Sequence, residues 1–114
     1  MSDIEIRDDR AAGLLTATAG DETVGRIEYF VLESPERALV PVHTVVEPAH
    51  EGKGVAGSLV RELYAAARRE GVPVAPLCPY VVRWAERHPD EAPAADPALR
   101  RAAGEWLAAH PGRF

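Results

Sequence analysis

Apolar and polar residues alternate with period two in Ile4-Glu5-Ile6-Arg7, and residues 13–19 form a second short apolar-rich segment after a polar turn. Both read as half-buried strands. Gly20-Asp21 marks another turn, and residues 23–32 form a longer run rich in strand formers. Glu33-Ser34-Pro35-Glu36 reads as the next turn, with proline presetting φ and serine competing for backbone bonds. Residues 38–47, dense in valine, predict a fourth strand. Connections this short join antiparallel neighbours, so the pattern predicts a four-stranded antiparallel meander.

The period then changes. Pro48 ends the strand, residues 49–53 form a loop, and from Gly54 the apolar positions Val55, Leu59, Val60, Leu63, Tyr64 and Ala67 recur at helical spacing. Arg68 and Arg69 suit a helix C-terminus, and Gly71 predicts its stop. Residues 72–77 read as a fifth, buried strand. Strand, helix and strand in that order predict a right-handed crossover, with the fourth and fifth strands parallel. Cys78-Pro79 opens a second helix through about Arg87, with proline at its first position. After a Pro/Ala/Asp loop, residues 98–109 predict a last helix carrying Leu99, Ala102, Ala103, Trp106 and Leu107 on one face. The expected class is mixed α/β.

Composition narrows the function. A chain of 114 residues and 12.3 kDa, 46% hydrophobic and 27% charged, is expected to form a single globular domain. Its core should span residues 3–90, with a helical extension over 91–114. The apolar runs are too short for a membrane helix, and acidic residues stand where a signal peptide needs a basic start. The expectation is a cytoplasmic protein, a monomer or weak homodimer. One cysteine, Cys78, excludes a disulfide framework and a multi-cysteine zinc site. His50, His88 and His110 lack partners at ligand spacing, so no metal is expected. A net charge of −5 argues against nonspecific nucleic-acid binding. The chain contains neither asparagine nor glutamine, which removes any chemistry that needs a side-chain amide.

The most informative segment joins strand four to the first helix: Val45-Val46-Glu47-Pro48-Ala49-His50-Glu51-Gly52-Lys53-Gly54-Val55-Ala56-Gly57-Ser58. Glycines let successive N–H groups point inward, and the helix dipole favours negative charge there. Lys53, the sole lysine, lies inside the loop. A phosphate or pyrophosphate is the expected ligand, against the plainer reading of a flexible helix entry. A P-loop fails because no Lys-Ser or Lys-Thr pair follows at the required spacing. Gly52, Gly54 and Gly57 match the G-x-G-x-x-G dinucleotide pattern. However, the preceding strands are antiparallel and no acidic residue ends strand five.

The same segment resembles the signature of the GNAT acetyltransferases, a strand ending in V-x-P followed by R/Q-x-x-G-x-G/A. Residues Glu51-Gly52-Lys53-Gly54-Val55-Ala56 fill it, with Glu51 standing where Arg or Gln is usual. His43-Thr44, the GKGVA loop, Pro76-Leu77-Cys78 and Arg87-His88-Pro89 together resemble the small YjdJ-type branch. The resemblance implies a GNAT fold and acetyl-CoA as cosubstrate. It places Val45 and Val46 on the pantetheine arm and Glu51, Gly52, Lys53, Gly54, Val55 and Ala56 on the diphosphate. Arg83 and Arg87, four apart on the second helix, either face the nucleotide phosphates or form a solvated face.

Acetyl transfer needs a neutral amine, a polarised thioester and a proton for the leaving thiolate. Many GNAT enzymes draw that proton from a tyrosine on the second helix, where this chain has Trp84, an indole that cannot serve. Tyr80 lies one turn earlier. Cys78, at a helix start, is an alternative nucleophile or acid, or else a small packing residue. His43 is a candidate base or a structural histidine, with Thr44 and Glu47 as further options. These residues imply an N-acetyltransferase; the alternative is an acyl-CoA-binding or sensing module with little turnover. The acceptor amine stays open, and a lidless cleft would admit a peptide or protein.

Overall fold

The computed structural model describes residues 4–112 of the chain; Met1, Ser2, Asp3, Arg113 and Phe114, expected within the single domain, lie outside the described residues. Four strands, β1 (Ile4–Asp9), β2 (Leu14–Ala19), β3 (Glu22–Leu32) and β4 (Ala38–Val46), pair antiparallel in the order β1-β2-β3-β4. A short 3₁₀ turn, Pro48–His50, leads to helix α1 (Val55–Glu70), followed by α2 (Pro79–Arg87) and α3 (Pro97–Ala108).

Helix α1 forms where its periodicity predicted, and Val55, Leu59, Val60, Leu63, Tyr64 and Ala67 are all buried. They pack on Leu15, Ala17, Ile27, Tyr29 and Leu39 from the near face of the sheet. Each such aliphatic side chain contributes about 1.5–3 kcal/mol on full burial. Gly71 stops the helix at φ 71°. There the N–H of Val72 reaches back to the Ala67 carbonyl at 3.0 Å, a Schellman closure. The opposite face of the sheet is covered by α3, whose Leu99 and Ala103 pack with Phe30, Leu32, Ala38 and Val40. Trp106 stacks on Phe30 at 4.3 Å between ring centres. The terminal helix therefore supplies the second apolar layer.

Residues 72–77, expected as a fifth strand, do not form one. They run parallel beside β4 through a single bridge, Leu39 to Val74. Leu39 N–H donates to Pro73 O at 3.0 Å, and Ala75 N–H donates to Leu39 O at 2.9 Å. The next rung needs an N–H from residue 41, which is proline and has none. Pro41 O instead accepts from both Leu77 and Cys78, each at 3.1 Å, and the chain then turns into α2. The direction of the crossover agrees with the sequence reading; the ladder is too short to be a strand. Among the described residues no helix is long and apolar enough to cross a membrane.

Candidate functional site

The break in pairing at Pro41 leaves a wedge between the end of β4 and the start of α2. A groove of about 430 Å³ occupies it, walled by Thr44 and Val46 of β4, residues 50–57 less Lys53, and Tyr80 of α2. A bulge decides which β4 side chains face this groove. Glu28 pairs with His43 but Tyr29 pairs with Pro41, so Val42 is an extra residue opposite no partner. Leu39 faces α1, and strict alternation would turn residues 43 and 45 the same way. The extra residue reverses the sense, so Thr44 and Val46 face the groove while His43 and Val45 are exposed on the other side.

The glycines of the loop have separate physical reasons. Gly52 and Gly54 adopt φ 82° and 81°, a left-handed conformation that side-chain-bearing residues reach only with strain. Gly57 faces α2, and a Cβ there would make ordinary contacts, 3.4 Å from Trp84 Nε1 and 4.0 Å from the Tyr80 hydroxyl. Among the described residues, no backbone N–H of residues 52–57 donates to a protein acceptor. They gather at the positive end of a sixteen-residue helix, an arrangement suited to an anion. Glu51 lies at the groove wall with its carboxylate exposed.

Of the three proposed proton-handling residues, Tyr80 lines the groove. Cys78 caps α2 but is only 5% exposed, and its sulfur shares a hydrogen bond with Thr44 Oγ1 at 3.4 Å. Thr44 therefore stands between the thiol and the groove. His43 is on the far face. Lys53, Arg83 and Arg87 are exposed and lie outside the groove wall. Trp84 is a packing residue: it is buried, stacked on His88 at 4.1 Å, with Arg61 over its ring at 5.5 Å.

Of three further contributors, Gly25 is not marked by the sequence reading, and His50 and Gly57 enter it in other roles. Gly25 of β3 sits under the first turn of α1, and a Cβ there would approach Val55 Cγ1 to 2.9 Å. His50 lines the groove and faces Glu22 at 3.5 Å. Gly57, part of the G-x-G-x-x-G match, lines the groove facing Trp84 and Tyr80. A glycine within the valine- and isoleucine-rich third strand was the one visible sign of the first. Among the described residues no group of three or more His, Cys, Asp or Glu could hold a metal ion.

A four-stranded antiparallel sheet, a crossover helix whose first N–H groups lack protein partners, and a groove beside that helix start define a mixed α/β protein. The chain matches the GCN5-related N-acetyl-transferase family over residues 14–94, and it belongs to that family. It is similar in structure to the ribosomal-protein-alanine N-acetyltransferase of Brucella melitensis biovar Abortus 2308. The identity is 26% and the TM-score 0.59, over 73% of this chain and 62% of that one. A Trypanosoma brucei acetyltransferase shares the fold at 17% identity and TM-score 0.52, over 76% of this chain and 68% of that one. An aminoglycoside acetyltransferase from an uncultured soil sample does so at 15% and 0.52, over 86% of this chain and 56% of that one. The chain thus spans about three fifths of the length of the Brucella and soil proteins. No curated protein matches it.

Proposed function

We propose that this protein is an acetyl-CoA-dependent N-acetyltransferase of the small YjdJ-type branch, built as one domain. The observation that carries the reading is the row of unpartnered N–H groups over residues 52–57, opening on the groove that Tyr80 lines. In this reading those amides hold the diphosphate, and the free edge of β4 beyond Pro41 takes the pantetheine arm with the backbone of Val45 and Val46. Arg83 and Arg87 supply positive charge outside the groove.

The amine nitrogen of the acceptor attacks the thioester carbonyl, forming the C–N bond as the C–S bond breaks. The amine loses its proton to solvent or a base, and the departing sulfur takes one from the Tyr80 hydroxyl. Thr44 lines the same wall, with Cys78 behind it. The base is unassigned by geometry, since His43 faces the other side of the sheet. The acceptor is an amine; the open groove suits a peptide or protein end.

Trp84 favours a second reading. It is locked in packing where the family's proton donor commonly stands, as an acyl-CoA-binding module with little turnover would allow. Calorimetry with acetyl-CoA and release of CoA in the presence of an amine panel separate the two: binding without release selects the module. Gly54→Val tests the loop. A Cβ there meets nothing, so the fold should survive. The left-handed φ disfavours any side chain, by about 1–2 kcal/mol. Acetyl-CoA affinity should fall more than tenfold, ~1.4 kcal/mol. An unchanged affinity in folded Gly54→Val would remove the loop from the site.

A further inference from the structure

Away from the groove, two cavities of about 430 and 260 Å³ lie under the loop of residues 92–96. They share Tyr64, Pro93, Ala94 and Ala95, so they meet at one tyrosine. Tyr64 is 95% buried by its 5% exposure, yet its hydroxyl has no hydrogen-bond partner among the described residues. No fully enclosed side-chain oxygen in the described residues lacks a partner, so this hydroxyl keeps some surface, and Tyr64 lines both cavities. A phenol hydroxyl placed at a cavity wall with no protein partner is available to hydrogen-bond a ligand.

The surroundings select the ligand. Burial pushes the Tyr64 hydroxyl up to about 12, so it stays protonated and donates. Arg100 lines the smaller cavity and is the charged group that acts on Tyr64. Only its Nε is engaged, on Pro76 O at 3.3 Å, and no ion pair holds the guanidinium among the described residues. The larger cavity has an apolar wall of Ala67, Val72, Val74 and Leu99, and Arg68 lines it as well, donating to the Glu91 carbonyl at 3.2 Å. Nearby carboxylates are committed or outward. Asp96 accepts from Ala98 N at 2.9 Å to cap α3, and Arg61 holds Glu91 at 2.6 Å. Glu36 and Glu86 are exposed at the walls.

We propose that this space binds a small aliphatic carboxylate, its charged end on the Tyr64 hydroxyl and Arg100 and its chain along the apolar cavity. The site is separate from the acetyl-CoA groove and stands or falls independently of the proposed activity.

Titration of the ¹⁵N-labelled protein with hexanoate should give saturable, millimolar-range shifts centred on the amides of Ala92, Ala94 and Ala95. Hexanol, with the same chain and no charge, should bind at least tenfold more weakly. Tyr64→Phe keeps the ring and removes only the donor, and it should weaken hexanoate about tenfold; Arg100→Gln should do the same. Acetyl-CoA affinity should be unchanged in both variants. Shifts that fail to saturate or centre elsewhere, equal binding of hexanol, or full hexanoate affinity in Tyr64→Phe would each overturn the proposal.

Discussion

Gly25 on β3 lies directly beneath Val55, the first residue of α1, and a Cβ on Gly25 would stand 2.9 Å from Val55 Cγ1. The same atom would come within 3.2 Å of the Val45 carbonyl and 3.3 Å of Leu59 Cδ1. A missing side chain on the third strand thus sets how closely the glycine loop is held to the fourth.

Gly25→Ala should therefore lift the start of α1. Overpacking of this kind costs about 1–3 kcal/mol. The melting temperature should fall, and acetyl-CoA affinity should fall with it. Gly104→Ala is the control: its Cβ would meet nothing and it lies within α3, so the melting temperature should rise. A Gly25→Ala protein as stable and as tight-binding as wild type would refute the close approach.

Glu51 places a negative charge at the mouth of the groove, where the family usually has Arg or Gln. Glu51→Arg should tighten acetyl-CoA binding, most visibly at low ionic strength. Equal or weaker binding in dilute buffer would mean that the side chain points away from the phosphates.

Tyr80 and Cys78 should separate cleanly. Tyr80→Phe removes the hydroxyl that lines the groove and should cut the rate of acetyl transfer by ~10²-fold with acetyl-CoA affinity retained. Cys78→Ser keeps a hydrogen-bonding atom against Thr44 and should change the rate only a few-fold. The wild-type protein should carry no acetyl group on Cys78 after incubation with acetyl-CoA. An acetylated cysteine by mass spectrometry, or a ~10²-fold loss in Cys78→Ser, would instead make the thiol the nucleophile.

At the other end of α1, Glu70 is gripped by Arg10, whose Nη1 donates to Oε1 at 2.7 Å and Nη2 to Oε2 at 2.5 Å. Arg10 Nε also donates to the Tyr29 hydroxyl at 2.9 Å, and that hydroxyl donates to Asp8. The arginine holds the Glu70 carboxyl below its ordinary range. A depressed carboxyl contributes stability above its unfolded-state pKa, and that contribution is lost as pH falls through the folded-state value. Glu70→Gln should lower the unfolding free energy near neutrality, by under ~1 kcal/mol because both side chains are about one third exposed. The difference from wild type should vanish in acid. A constant difference at all pH values would show that packing, not charge, is what the substitution removes.

Local pattern was enough for the elements. The meander, the buried stripe of α1 with its Gly71 stop, and the Pro79 start of α2 follow from side-chain period and from the backbone limits of glycine and proline, which act within a few residues. The glycine loop was legible for the same reason, since the freedom to adopt the positive φ seen at Gly52 and Gly54 is a property of the residue itself. Pro41 was visible too, but its effect was not: a missing N–H ends a ladder only once residues 73–78 are laid against it, turning an expected strand into a single bridge and opening the groove. Whether His43 or Thr44 faces that groove hung on one extra residue, Val42, in the pairing of β3 with β4. Alternation along a strand cannot reveal a bulge, because register is a relation between two strands. The burial of Cys78 behind Thr44, the place of Gly25 under Val55 and the unpaired hydroxyl of Tyr64 are likewise contacts between distant segments, decided only when the sheet and helices close on one another.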